Sequence, residues 1–305
     1  MNEILVFGHK NPDTDSVTSA MVMANLENKM GNKAKAVILG KVNKETKYIL
    51  DYLKIDDIEI IDKIEDGQEV ILVDHNEFSH SCINIENAKI LKVIDHHSIN
   101  INVAYQLYFR SEPLGCTACV LYKIYRENNI EIDRKIATLM LSAIISDTLL
   151  FKSPTCSKVD IQIAQELSFI SKLDIEQFGI ALLKAGTDLT DLTDKELITL
   201  DSKGFEVNGK KMIIAQINTA NIPDVMKRKE KIEAEILNEI NTNNIALFIF
   251  LITDIVNSNS QAIVLGKNTD IFEKSYNVKL ENNTVLLPNV VSRKKQVLPV
   301  ITKNA

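Results

Sequence analysis

The sequence is poor in the residues that build fibrous or low-complexity chains: 10 glycines and 6 prolines in 305 residues. That excludes collagenous, Gly-rich and Pro-rich architectures. No apolar run approaches the 18 or more residues of a membrane span. The opening MNEILVFGHK has no basic segment followed by a long apolar one, so no signal peptide is expected. Positive charge is not in excess either. Lys plus Arg is 35 and Asp plus Glu is 41, a formal net charge of −6. No general nucleic-acid binder held by a basic surface is expected from that balance, and no membrane partner. Several motifs are absent: the GxxxxGK[ST] P-loop, GxGxxG, GxSxG and HExxH. Of four cysteines, Cys116 and Cys119 form a CxxC, but no second Cys/His pair follows to complete a structural zinc site. They read as small buried residues at a helix start. With four scattered cysteines and no signal peptide, a reducing cytoplasm is the expected compartment.

What is present is a two-domain length and a composition able to fold. Hydrophobic residues make up 45% and charged residues 25%, which supports a sizeable core and rules out disorder for most of the chain. Short β-branched apolar runs at 4–7 (ILVF), 36–39 (AVIL), 58–61 (IEII), 70–73 (VILV) and 91–94 (LKVI) read as buried strands. A helix is expected over 15–30, and four more over 116–129, 134–149, 157–171 and 174–184. The fold class is therefore α/β: an N-terminal doubly wound, mainly parallel sheet with helices on both faces. The polar stretch AGTDLTDLTDKE divides the chain into 1–186, a linker 187–195, and 196–305. In the last part, Asn208-Gly209 between apolar segments predicts a hairpin. A helix is expected over 223–241, with strands at 245–252 and 261–266. The second domain reads as a smaller α/β unit with a mixed sheet.

The chemistry lies where the strands end. All five histidines fall within the first 97 residues. ILVF is followed by Gly8-His9 and then Asp13 and Asp15; VILV by Asp74-His75-Asn76-Glu77; LKVI by Asp95-His96-His97. Open parallel sheets bind ligands beyond the carboxyl ends of their strands, so three such ends converge on one site. Histidine with carboxylates and no cysteine suits borderline-to-hard divalent metals. Asp13 and Asp15 can serve two ions, although they could equally cap a helix. Asp74 has two oxygens and can bridge. Two metals about 3.5–4 Å apart are a common device for in-line displacement at phosphorus. Metals also let an acidic protein hold a polyanion. Asp147 interrupts the apolar stretch 134–151 and needs a partner or a metal if buried, or else ends the helix as a cap. His75 and Asp95 read as ligand neighbours or orienting partners, and His80 as surface. Ser292-Arg293-Lys294-Lys295-Gln296 is either a phosphate-binding cluster or a solvated turn. Lys203 is unremarkable by itself.

GHKNPDTDS, VDHNE, VIDHH and SRKKQ together resemble the family II inorganic pyrophosphatases, the manganese-dependent members of the DHH phosphoesterase superfamily. The resemblance spans the whole chain. It implies hydrolysis of inorganic pyrophosphate to two phosphates by a metal-bridged hydroxide between the domains. It implies His9, Asp13, Asp74 and Asp147 on one metal and Asp15, Asp74, His96 and Asp147 on the second. It implies His97 at the substrate or leaving phosphate, and Lys203, Arg293 and Lys294 on phosphate oxygens. Two manganese ions per subunit are implied, with cobalt or magnesium as substitutes, additional magnesium entering with substrate, and a homodimer. Closure of the second domain about the linker is a further expectation. Two alternatives are another DHH-type phosphoesterase acting on nucleotides, whose relatives carry a GGGH-like motif not found here, and a non-catalytic phosphate-binding protein that kept the fold.

Overall fold

The structure, a computed structural model, describes residues 3–56 and 58–304. The chain divides into two compact units, Met1–Gly186 and Thr187–Ala305.

The first unit contains β1 (Ile4–Phe7), α1 (Thr14–Lys29), β2 (Ala34–Ala36), α2 (Lys44–Tyr52), β3 (Glu69–Val73), β4 (Lys89–Asp95), β5 (Tyr108–Ser111), α3 (Thr117–Glu127), α4 (Arg134–Thr148), α5 (Lys158–Ser171) and α6 (Ile175–Gly186). All five strands are parallel, in the order β2-β1-β3-β4-β5. The chain winds outward to β2, then crosses β1 to continue with β3. The crevice at this reversal, between the carboxyl ends of β1 and β3, is where such sheets bind ligands. Val6, Ile71 and Val93 are fully buried, as expected of strands covered on both sides. α1 packs against β1, β2 and β3, and α3 against β4. Phe7, Leu72 and Val93 instead pack with Ile85 and Phe78, which belong to two 3₁₀ turns, Phe78–His80 and Ile85–Asn87.

Two expected strands are corrected. AVIL and IEII are not strands over the expected spans: β2 lies earlier, at 34–36, so only Ala36 of AVIL pairs within it, and the two segments meet in one bridge between Ile38 and Ile60. Ile60 is 54% exposed while Ile61 packs against the core, so IEII is held by one side chain rather than by a buried strand face. β5 was not foreseen. It is an edge strand of intermediate or exposed residues, YFRS, with no apolar run.

The second unit contains α7 (Asp194–Thr199), β6 (Ser202–Val207), β7 (Lys210–Thr219), α8 (Ile222–Met226), α9 (Lys229–Asn243), β8 (Leu247–Asp254), β9 (Asn259–Gly266), α10 (Thr269–Tyr276), β10 (Thr284–Pro288) and α11 (Leu298–Asn304), with a π-helical turn over Arg293–Val297. Its sheet is mixed, in the order β10-β9-β8-β7-β6, with only β7 and β8 parallel. Asn208 and Gly209 both take positive φ (51° and 72°) in the two-residue turn between β6 and β7, as a type I′ hairpin requires. All eight residues of β8 are buried. Phe248, Phe250 and Ile252 pack with Ile232 and Ile236 of α9, while Leu247, Ile249 and Leu251 pack with Phe272 of α10. That is the period-2 alternation of a central strand. Leu189 and Leu192, before α7, also pack against this core.

Candidate active site

The loop after β1 leaves the sheet at Gly8. A Cβ there would lie 2.0 Å from Ser16 Oγ, so the loop passes too close to α1 for a side chain. His9 follows. Its Nδ1 donates to Lys10 O (2.8 Å), because a carbonyl can only accept. That leaves Nε2 facing Asp13 Oδ2 and Asp74 Oδ2, each at 3.4 Å. His96 is oriented in the same way: Nδ1 donates to Leu114 O (3.0 Å), and Nε2 lies 3.4 Å from Asp74 Oδ1 and 3.7 Å from Asp147 Oδ2. Fixing one ring nitrogen on a carbonyl presents the other for ligation.

The four carboxylates come from three elements, α1, β3 and α4. Asp13 both caps and faces the site: Oδ1 accepts from Ser16 N (2.9 Å) at the start of α1, while Oδ2 faces His9. Asp15, in the first turn of α1, is fully buried. It accepts from Thr117 N (2.6 Å), Ala118 N (3.1 Å) and Ser19 Oγ (2.8 Å). The N-terminus of α3, starting at the CxxC, thus holds a carboxylate, and Cys116 and Cys119 are buried free thiols. Asp74, just past β3, has φ 59°, a left-handed backbone that aspartate tolerates better than most residues. Thr117 Oγ1 donates to its Oδ1 (2.9 Å). Asp147 lies in the last turn of α4.

Ligand-competent atoms lie within 4.8 Å of one another in three groups: His9, Asp13 and Asp74; Asp15, His96 and Asp147; Asp74, His96 and His97. Every metal ligand expected from the sequence falls in one of them. Asp74 is in two, and Asp147 is in one. Electrostatics reports crowded negative charge. Burial, then the repulsion of Asp74, pushes the Asp15 carboxyl well above its usual range; burial, then Asp15 and Asp74, do the same to Asp147. Burial would also raise Asp74, but His9 and His96 outweigh it and hold that carboxyl well below its usual range. Burial would lower both histidines, yet Asp13 and Asp74 bring His9 up to about 11, and Asp74 brings His96 up to about 9. A fit for divalent cations follows from the residues themselves. The donors are imidazole and carboxylate with no thiolate, and the buried His96 Nε2 has no hydrogen-bond partner.

Around this cluster sit residues of a second kind. Asp95, fully buried at the end of β4, accepts from His96 N (2.8 Å), His97 N (3.1 Å), His97 Nδ1 (2.9 Å) and Asn76 Nδ2 (2.7 Å). Burial alone would raise its carboxyl; the His97 and Asn76 hydrogen bonds lower it instead. Asp95 therefore orients His97, whose side chain is 52% exposed and whose Nε2 remains available. His75 donates Nδ1–H to Val73 O (2.9 Å), and burial pushes it down to about 4, so it is neutral. It joins none of the three groups. His80 is exposed. A cavity of about 480 Å³ adjoins the cluster, lined among others by His9, Lys10, Asp74, His75, Asn76 and His97. Thr117, Ser19 and Asn76 were missed as contributors. The sequence signal for Thr117 was its place inside the CxxC, at a helix start.

The three expected phosphate ligands lie in the second unit. Lys203 is exposed on β6, and Lys294 is exposed on the π-helical turn. Arg293 is buried. Its Nη1 donates to Asp201 O (2.5 Å), Nη2 pairs with Asp201 Oδ1 (2.9 Å), and its amide donates to Gln216 Oε1 (3.0 Å). The Asp201 pair holds that guanidinium next to the start of β6.

Comparison with known proteins agrees along the whole length. The model of the DHH family N-terminal domain matches residues 3–144, and that of the DHHA2 domain matches residues 180–304. The manganese-dependent inorganic pyrophosphatase of Bacillus subtilis is 51% identical over 304 residues, covering 99% of this chain and 98% of that one. A Methanococcus jannaschii structure assigned to the family II inorganic pyrophosphatases is 38% identical with a TM-score of 0.63, covering 99% of each chain. An exopolyphosphatase-related protein from Bacteroides fragilis shares the fold at 13% identity and TM-score 0.51, over 99% of this chain and 91% of that one. This chain belongs to the manganese-dependent, family II inorganic pyrophosphatases of the DHH superfamily.

Proposed function

We propose that this chain hydrolyses inorganic pyrophosphate to two phosphates at the cluster of His9, Asp13, Asp15, Asp74, His96 and Asp147. The observation that carries the reading is the sharing of Asp74 between groups of ligand atoms drawn from the ends of three neighbouring strands. Two manganese ions per subunit fit this reading, one on His9, Asp13, Asp74 and Asp147 and the other on Asp15, Asp74, His96 and Asp147. Cobalt or magnesium are the substitutes that such donors admit, and further magnesium enters with the substrate. Bound divalent ions neutralise phosphate charge and lower the pKa of an attacking water.

The protein's own groups do the rest. His97, held through Nδ1 by Asp95, offers Nε2 to the leaving phosphate, as a hydrogen-bond donor and proton source. Neutral His75 and Asn76 wall the adjoining cavity without adding charge that would compete with the ligands. Lys203, Arg293 and Lys294 bind phosphate oxygens; Arg293 arrives with its fork already ordered by Asp201.

The test is phosphate release by metal-stripped protein, with and without added manganese, from magnesium pyrophosphate, a cyclic dinucleotide and a nucleoside monophosphate. Fast, manganese-dependent release from pyrophosphate alone is expected. Release only from a nucleotide would overturn the assignment in favour of another DHH phosphoesterase.

A further inference from the structure

We propose that the cleft between the C-terminal end of α2 and the N-terminal end of α4 is a binding site for a phosphate-type oxyanion. Tyr52, Leu53, Lys54, Arg134, Lys135 and Thr138 line a cavity of about 450 Å³. Three of these six are cations and none is acidic, in a chain whose formal net charge is −6. Two neighbouring acids are engaged elsewhere. Asp51 pairs with Lys47 (2.9 Å); Asp133 accepts from Ile136 N (2.9 Å) and lies 3.8 Å from Lys29. Among the described residues, Lys54 and Lys135 have no ion-pair partner.

The rim is ordered before any ligand arrives. The amides of Leu53, Lys54 and Ile55 turn back onto Ile49 O, Asp51 O and Leu50 O, with Lys54 at φ 52°. Arg134 Nε donates to Ser171 O (2.9 Å), which fixes the guanidinium plane and leaves its Nη groups for bidentate recognition of an oxyanion. Preorganised donors lower the ordering cost of binding. Tyr52 is 44% exposed, and its ring centroid is 5.7 Å from that of Phe178, so it offers a supported aromatic face beside the cations. A tetrahedral dianion suits three cations lining one cavity better than a single carboxylate does.

The cleft is separate from the metal cluster. α2 and α4 run antiparallel: Glu45 near the start of α2 accepts from Ser146 near the end of α4 (2.5 Å), whereas the cleft is at the opposite ends of both helices. From Lys135 to Asp147 the rise along α4 is about 18 Å. Substrate bound at the cluster therefore does not occupy this cleft.

The ligand's oxyanion could be free or part of a phosphomonoester, and two probes distinguish them. Manganese-loaded protein is titrated calorimetrically at low salt with sulfate and with a nucleoside 5′-monophosphate. The titrations are repeated on the K54A/K135A variant. Saturable binding is expected for at least one probe, weakened at least about tenfold in K54A/K135A, with manganese content and pyrophosphate hydrolysis unchanged. If Y52A weakens the nucleotide but not sulfate, the ligand is a ring-bearing phosphomonoester; if sulfate binds as well as the nucleotide, the free oxyanion suffices. Equal affinity in wild type and K54A/K135A, or no saturable binding of either probe in the low-millimolar range, would overturn the proposal. Neither result depends on which phosphate ester the enzyme hydrolyses.

Discussion

Asp74→Asn lowers manganese affinity by about 1000-fold, roughly 4 kcal/mol, and kcat/KM falls at least as far. The carboxylate is 1% exposed, and its two oxygens face different histidines, His9 and His96, each at 3.4 Å. Asparagine keeps the size and an oxygen for the Thr117 hydroxyl. It removes the one charge that two groups of ligand atoms share. Asp147→Asn also removes a carboxylate placed on both ions, although its oxygens fall in a single group of ligand atoms, and should cost about 100-fold. Equilibrium dialysis with manganese gives both numbers, and circular dichroism checks the fold. The metal-free proteins add an independent sign. A carboxyl whose pKa is raised by burial and by like charges destabilises the fold when ionised at neutral pH. Metal-free Asp147→Asn therefore melts higher than metal-free wild type, although it binds manganese more weakly. Wild-type affinity in Asp74→Asn would contradict the shared role.

His97→Gln gives the second large effect, with a different signature. The side chain is half exposed and tied to Asp95 at 2.9 Å, a bond that a glutamine amide can keep. What is lost is an imidazole nitrogen at the cavity. Loss of a positioned proton donor costs about 100-fold or more in kcat, with manganese stoichiometry unchanged. Asp95→Asn should act through the same histidine and cost less, because it disturbs orientation and leaves the imidazole in place. Steady-state kinetics with metal analysis on the same preparations decides between the roles. Loss of a manganese ion in His97→Gln would make His97 a ligand, as its grouping with Asp74 and His96 allows geometrically.

The strands that carry the site were legible because they are buried on both faces. Such strands appear as short, largely apolar runs, and their ends are marked by Gly8-His9, Asp74-His75 and Asp95-His96-His97. Asp147 was legible as a charge breaking an apolar helix. The Asn208-Gly209 hairpin was legible because few other dipeptides take two positive φ values easily. Edge strand β5 was not, since an edge needs no apolar run, and AVIL and IEII misled because apolar composition alone does not supply a pairing partner. The support of the site was the least visible part. Thr117 reaches Asp15 across 102 residues and Asp74 across 43, contacts that no local periodicity encodes. Asp13 shows why two readings of one residue need not compete: one oxygen caps α1 and the other faces His9. For Arg293 the basic run SRKKQ was visible, but the partner that orders it, Asp201, was not.

The central claim is that Asp74 joins two ion sites at the switch point of the first sheet. Manganese titration of metal-stripped protein, followed by electron paramagnetic resonance, tests it most directly. Two ions per chain with an exchange-coupled spectrum are predicted, because a shared carboxylate brings the two spins into contact. One ion per chain, or two with the spectra of isolated manganese, would contradict it.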